Sequence, residues 1–160
     1  MSNMGLTGLL TAFKESLGDL KEGSNIVFTG SIGICTPFAQ LLAYSVRKSG
    51  FEMIFIPKAI AQNAKKMRLI KEVGYQVTNE NADPSGCDVI VILGGLAVPK
   101  YSTTPDDVLK MIDKISKNAK IIGFGFMSVF EENGWTKAIN FDVLINGVID
   151  PVDSYFFDNE

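Results

Sequence analysis

Asn25-Ile26-Val27-Phe28-Thr29-Gly30-Ser31-Ile32-Gly33-Ile34-Cys35-Thr36-Pro37-Phe38 is the stretch that decides the fold of this 160-residue chain. Residues 25–29 are apolar and β-prone, and Gly30 and Gly33 let the backbone turn and approach a ligand. Thr36-Pro37 then reads as an N-cap followed by proline at the first helical position. Strand, glycine turn and helix in this succession open an α/β unit, and such sheets bind ligands at this edge.

The units on either side repeat the alternation. Leu6, Leu9, Leu10, Phe13, Leu17 and Leu20 recur at helical spacing, so residues 1–23 hold an amphipathic helix ahead of the first strand. A helix from Pro37 to about Lys48 follows that strand, and strand two covers residues 51–56. The helical period returns over 59–73 with Gly74 as its C-cap, and Tyr75 to Thr78 makes a short strand three. Strand four, Asp88 to Leu93, is a Val/Ile run of the kind covered on both faces. Thr104-Pro105-Asp106-Asp107 starts the next helix, with Val108, Ile112 and Ile115 inward and Asp106/Lys110 outside. Strand five is Lys120 to Phe126, Ser128-x-x-Glu131 has the form of a capping box, and Phe141 to Ile149 is either strand six or a hairpin about Asn146-Gly147.

This pattern predicts one Rossmann-like α/β domain over residues 1–160, three-layered, with a mainly parallel sheet in the order 3-2-1-4-5-6. Residues 151–160 form an acidic aromatic tail that mixes Tyr155, Phe156 and Phe157 with Asp153, Asp158 and Glu160. Bare aromatics are costly in water, so the tail packs on its own domain or on another subunit, and a homodimer is one expected outcome. One step strains the scheme. Nine residues, 79–87, join strands three and four, fewer than a parallel crossover normally takes.

Composition excludes several classes of function. The chain has no histidine, which removes the commonest general base and metal ligand together with the usual Ser-His-Asp and Cys-His chemistry. Its two cysteines, Cys35 and Cys87, have no metal-ligand spacing and fall at opposite ends of the parallel strands, so both are expected as free thiols and no metal is expected. Net charge is −3, with nine Lys/Arg against six acids in residues 1–80 and six against twelve in 81–160. The densest basic segment, Lys58 with Lys65, Lys66, Arg68 and Lys71, falls on the expected helix as a solvated face without stacking aromatics, so nucleic acid is not an expected partner. The longest apolar run, Val89 to Val98, is broken by Gly94-Gly95 and spans ten residues, against the ~20 a membrane helix needs. Met1-Ser2-Asn3-Met4 has no basic flank before an apolar core, and a cytoplasmic location is expected.

In the expected strand order the loops 30–36 and 94–104 face one another where strands one and four diverge. The ligand-binding candidates are therefore Gly30, Ser31, Ile32, Gly33 and Thr36 on one side, with Gly94, Gly95, Lys100 and Tyr101 on the other. The N–H groups and dipole of the helix at Pro37 favour a phosphate or carboxylate, which points to a small anionic molecule, nucleotide-like compounds included. The plainer reading is that the glycines only make tight turns. Gly30-x-x-Gly33 is not the dinucleotide fingerprint, and Ile56-Pro57-Lys58 ends strand two on lysine instead of a ribose-binding acid, so NAD is disfavoured. No P-loop sequence is present, which disfavours that class of nucleotide site. Cys35, just ahead of a helix, is a candidate thiol nucleophile, and Glu131 or Glu132 beyond strand five are candidate acids or bases.

Gly33-Ile34-Cys35-Thr36-Pro37-Phe38-Ala39-Gln40-Leu41-Leu42-Ala43-Tyr44-Ser45-Val46-Arg47, with Val91-Ile92-Leu93-Gly94-Gly95-Leu96-Ala97, resembles an uncharacterised family of small proteins from methanogenic archaea. The resemblance implies a cytoplasmic archaeal protein and assigns no catalytic residue. Three readings stand: a binder or enzyme for a small anionic molecule, a Cys35 thiol enzyme, and a non-catalytic oligomeric or partner-binding module.

Overall fold

The computed structural model of the chain describes residues 4–158, and of Lys117 the backbone alone. What the sequence suggested for Met1–Asn3 and for Glu160 lies outside the described residues. Seven strands form one sheet: β1 (Asn25–Gly30), β2 (Glu52–Pro57), β3 (Lys65–Ile70), β4 (Gly74–Asn81), β5 (Cys87–Leu93), β6 (Ser116–Phe126) and β7 (Val143–Gly147). Their order is β4-β3-β2-β1-β5-β6-β7. The β2-β1-β5-β6-β7 pairings are all parallel, and β3 and β4 are antiparallel additions beside β2. The helices are α1 (Gly5–Leu17), α2 (Thr36–Ser45), α3 (Pro105–Ile115), α4 (Val129–Glu132) and α5 (Trp135–Ala138).

Strand alternation builds two cores, one on each face. Ile26 and Phe28, Val89, Val91 and Leu93, and Ile122 and Phe124 pack with Phe13 and Leu17 of α1 and Ala39, Leu42 and Ala43 of α2. On the other face Val27, Ile54, Ile56, Ile90, Ile92 and Ile121 meet Val108, Met111 and Ile115 of α3, together with Phe130 and Trp135. Fully burying each such side chain is worth about 1.5–3 kcal/mol. Both faces of β1 and β5 are covered, which is why these strands read as unbroken apolar runs. The α/β class, the three layers and the central place of β1 all match the sequence reading.

The strand order differs from 3-2-1-4-5-6 at one place. Residues 59–73, expected as a helix, form a short 3-10 turn (Ala61–Asn63) and then β3, which doubles back into β4 as a hairpin. The expected strand three is thus the outer arm of that hairpin, and β3 stands between it and β2. The hairpin pairs β3 with the edge of β2 and buries Met67 against the sheet core. The hairpin also carries the Arg68–Glu80 ion pair and a bond from Thr78 Oγ1 to the Lys66 carbonyl (2.8 Å). Gly74, expected as a helix C-cap, opens β4 at φ +103°, and Lys65, Lys66 and Arg68 lie on a strand. The link to β5 is shorter still than expected, residues 82–86, held by Ala82 N–H to Ala64 O (3.0 Å) and Gly86 N–H to Ile115 O (2.7 Å).

Two smaller expectations also change. Asn146-Gly147 makes no hairpin, because β7 pairs in parallel with β6 through Gly147. Ser128 makes no capping box: it sits at φ +58°, where its side chain cannot reach the first helical N–H groups, and no cap bond forms. The box that does form is at α3. There Thr104 Oγ1 accepts from Asp107 N–H (3.2 Å) and Thr104 N–H donates to Asp107 Oδ2 (2.8 Å).

Candidate functional site

The carboxyl ends of β2, β1, β5, β6 and β7 form one rim, and the chain departs to opposite sides after β1 and β5. Ligands in open α/β sheets bind at such a divergence. Here the gap between the two strand ends is filled by Cys35, whose Sγ lies 3.2 Å from Ser31 Oγ. Both residues are 2% exposed. A Cβ on Gly30 would overlap Cys35 Cβ, and one on Gly95 would overlap Cys35 Sγ and stand 2.8 Å from Ser31 Oγ. Gly30 and Gly95 are glycines because they pack on this thiol. Close packing on the thiol, and not a left-handed turn, requires glycine at these two positions.

The rest of the loop is open. Ile32, Gly33 and Ile34 are exposed, and Gly33 has φ +86° with free space around it. Thr36 does not cap α2 but is its first residue, behind Cys35 at the N-cap, and its hydroxyl accepts from Gly33 N–H (3.3 Å). Beside this loop a cavity of about 170 Å³ opens between α2 and the ends of β5 and β6. Its lining is carbon-rich: Ile34, Phe38, Leu93, Val98, Phe126 and Val129, with glycines 94, 95 and 125. Gly94 belongs to this floor, since a Cβ there would sit 2.8 Å from Val129 Cγ1 and 2.9 Å from Gly125 Cα.

The other candidates stand apart from the cavity. Lys100 and Tyr101 pair with each other, the ammonium 5.2 Å from the ring centre, and do not line it. Glu131 and Glu132 are exposed on α4 and do not line it either. Cys87 lies at the far end of β5, opposite Ser116, where burial first and the Asp88 charge second push its thiol up to about 11. Both cysteines are free, as expected. No cluster of three potential metal ligands occurs among the described residues.

Two strained turns on the rim carry no signal in the sequence. Lys58 and Ala59 at the end of β2 have φ +53° and +58°, and Met127 and Ser128 at the end of β6 have +54° and +58°. Such non-glycine residues cost of order 1–3 kcal/mol each, and they gather at functional sites. Each pair is held by the neighbouring strand. Buried Thr29 Oγ1 accepts from Ala59 N–H (3.0 Å) and donates to Ile56 O (2.8 Å), while Lys58 N–H donates to Gly30 O (2.9 Å). Across the sheet, Ser128 N–H donates to Asn146 Oδ1 (2.8 Å) and Met127 N–H to Gly147 O (2.8 Å).

Fold and rim together define a Rossmann-like α/β protein with a closed strand divergence, a small apolar cavity next to it and strained strand ends on both sides. The chain belongs to the family described as "Uncharacterized protein conserved in archaea (DUF2124)", whose family model matches residues 4–150. It is 40% identical over 146 residues to an uncharacterised protein of Methanocaldococcus jannaschii, covering 91% of this chain and 86% of that protein. A Methanothermobacter thermautotrophicus protein, also described as uncharacterised, is 35% identical over 147 residues, 91% of each. The crystal structure of a protein of unknown function from the same organism superposes with a TM-score of 0.84 at 32% identity, covering 99% of this chain and 96% of that one. The resemblance drawn from residues 33–47 and 91–97 is borne out.

Proposed function

We propose that this protein binds a small molecule with an anionic phosphate or carboxylate head, including nucleotide-like compounds, in the cavity beside the divergence of β1 and β5. The cavity of about 170 Å³ beside loop 31–36 carries this reading, since apolar pockets at strand divergences are the usual ligand sites of such folds. A compact apolar body fits among Phe38, Leu93 and Val129, and the head then lies toward the start of α2, where the helix dipole favours negative charge. Binding is as far as the cavity leads. The thiol alternative requires Cys35, 2% exposed, to leave its packing against Gly30 and Gly95 before it meets a substrate.

A thermal-shift screen of the full chain against carboxylates, phosphate esters and nucleotides tests this. A ligand at a hundred times its Kd stabilises by about 2.7 kcal/mol, a rise in Tm of about 5–10 °C for a chain of this size. Ile34→Trp at the cavity mouth should remove the shift and leave the unliganded Tm in place. No shift with any compound, or a shift that survives Ile34→Trp, refutes the reading.

A second property, self-association, is favoured by the tail. Tyr155, Phe156 and Phe157 are 77%, 95% and 83% exposed, and an open groove of about 1190 Å³ runs between α1 and β7, lined by Leu6, Leu9, Val143, Val148 and Ile149. We infer a homodimer that covers this apolar surface, in the cytoplasm, where thiols such as Cys35 and Cys87 stay reduced. Sedimentation of the full chain and of a version ending at Pro151 decides it: a monomer at micromolar concentration in both rules it out.

A further inference from the structure

We propose that a second site, for the phosphate group of a small molecule, lies in the groove between the end of β2 and α3. The groove has a volume of about 390 Å³, and Lys58, Lys110 and Lys114 line it together with Ser102, Thr103 and Gln62. It shares no lining residue with the apolar cavity and does not depend on it.

Three ammonium groups brought to one groove repel one another unless an anion joins them, and the chain as a whole is acidic at −3. None of the three has a salt-bridge partner: among the described residues the salt bridge is Arg68–Glu80, on the β3–β4 hairpin. One carboxylate lines the groove, Asp107, and its charge faces Lys110 and offsets one of the three cations. Its Oδ2 accepts from both Thr104 N–H (2.8 Å) and Thr104 Oγ1 (2.9 Å), and these bonds hold its carboxyl below the ordinary range. Three lysines against one carboxylate leave the groove an excess of positive charge, with hydroxyl and amide donors beside it.

The backbone adds an independent argument. Lys58 stands at the end of a parallel strand, on the edge where such sheets take ligands, in a left-handed conformation that a lysine rarely adopts. The buried Thr29 hydroxyl and Gly30 carbonyl fix that turn from the neighbouring strand. Lysines act as point charges toward phosphate, and Ser102 and Thr103 offer donors to the remaining oxygens, which favours a compact, multiply charged oxyanion over a carboxylate.

Isothermal titration of the full chain with pyrophosphate, and separately with inorganic phosphate, tests the proposal at low and at raised salt. Pyrophosphate should bind, more weakly as salt rises, and Lys58→Gln and Lys110→Gln should each weaken it by about tenfold, the effect of losing one charge-assisted contact. Lys66→Gln on the hairpin makes the same change in net charge and should leave binding within about twofold. Amide shifts on titration should concentrate at Gln62, Ser102 and Thr103. Absence of binding by both anions overturns the proposal, as does an equal loss in Lys66→Gln, which would mean diffuse attraction to charge. Ile34→Trp separates the two sites. If it abolishes pyrophosphate binding while Lys58→Gln does not, the anion sits at the β1/β5 divergence and the groove proposal fails, whereas the reverse result upholds the groove whatever becomes of the cavity.

Discussion

Thr29→Val isolates what holds the strained end of β2. Valine keeps the shape of the buried side chain but removes the oxygen that accepts from Ala59 N–H and donates to Ile56 O. Ala59 is itself buried, so its N–H loses its partner without gaining water. Stranding a buried donor costs about 1–3 kcal/mol, and the central expectation is a loss of about 2 kcal/mol. For a chain of this length that lowers Tm by about 4–8 °C. Urea denaturation should show a lower midpoint at unchanged slope, and hydrogen exchange should show the Ala59 amide losing protection. Lys58→Gly is the complementary change: relief of the left-handed backbone is worth about 1–2 kcal/mol, offset by glycine's extra freedom in the unfolded chain, for a net gain below about 1 kcal/mol. A Thr29→Val variant within about 0.5 kcal/mol of wild type, with Ala59 still protected, would refute the reasoning, because surface-like changes fall in that range.

Gly30→Ala places a Cβ onto Cys35 Cβ and within 2.9 Å of Cys35 Sγ, so chemical denaturation should show a loss of about 2–3 kcal/mol, whereas Gly33→Ala meets no atom and costs only the left-handed backbone at φ +86°, about 1–2 kcal/mol. Thr104→Ala removes the cap of α3 and should cost about 1 kcal/mol in urea unfolding. Because Thr104 holds the Asp107 carboxyl below its ordinary range, the wild-type advantage should be present near neutrality and shrink as acid protonates that group. Cys87 acts at the opposite end of the pH scale: its unfolded thiol ionises from about 9.0 while the folded one resists to about 11. Its contribution is therefore whole below pH 9 and lost as pH rises toward 11, a decline that urea titrations of Cys87→Ala should lack.

The parallel core was legible because its inner strands β1, β5 and β6 are buried on both faces and so carry their own apolar runs, from Val27 and Phe28 through Ile90–Ile92 to Ile121 and Ile122. The hairpin was not. In β3 only Met67 is buried, so the period-two alternation of Lys65, Met67 and Leu69 is hidden among exposed cations, and its turn places Glu72 at φ +62°, where glycine or asparagine would have signalled the reversal. The short link between strands three and four was the trace that the hairpin left in the sequence. At the site, position was readable but packing was not. Gly30, Ser31, Cys35 and Gly95 do meet, yet as a closed contact, and Lys100, Tyr101, Glu131 and Glu132 lie outside the cavity. The groove joins Lys58 to Lys110 and Lys114, more than fifty residues further on, through tertiary proximity alone.

The hairpin beside a parallel core has a consequence for the order of folding. The β3–β4 pairing has the shortest connection in the described sheet, residues 71–73, and hairpins of this kind close in microseconds. Every pairing in the core needs a crossover, and the central one joins Asn25 to Asp88 across 63 residues. The loop entropy of that closure must be met before β1 and β5 bury anything against each other. Refolding should then proceed in milliseconds to seconds, limited by the meeting of β1 with β5, with the hairpin already formed and waiting at the edge.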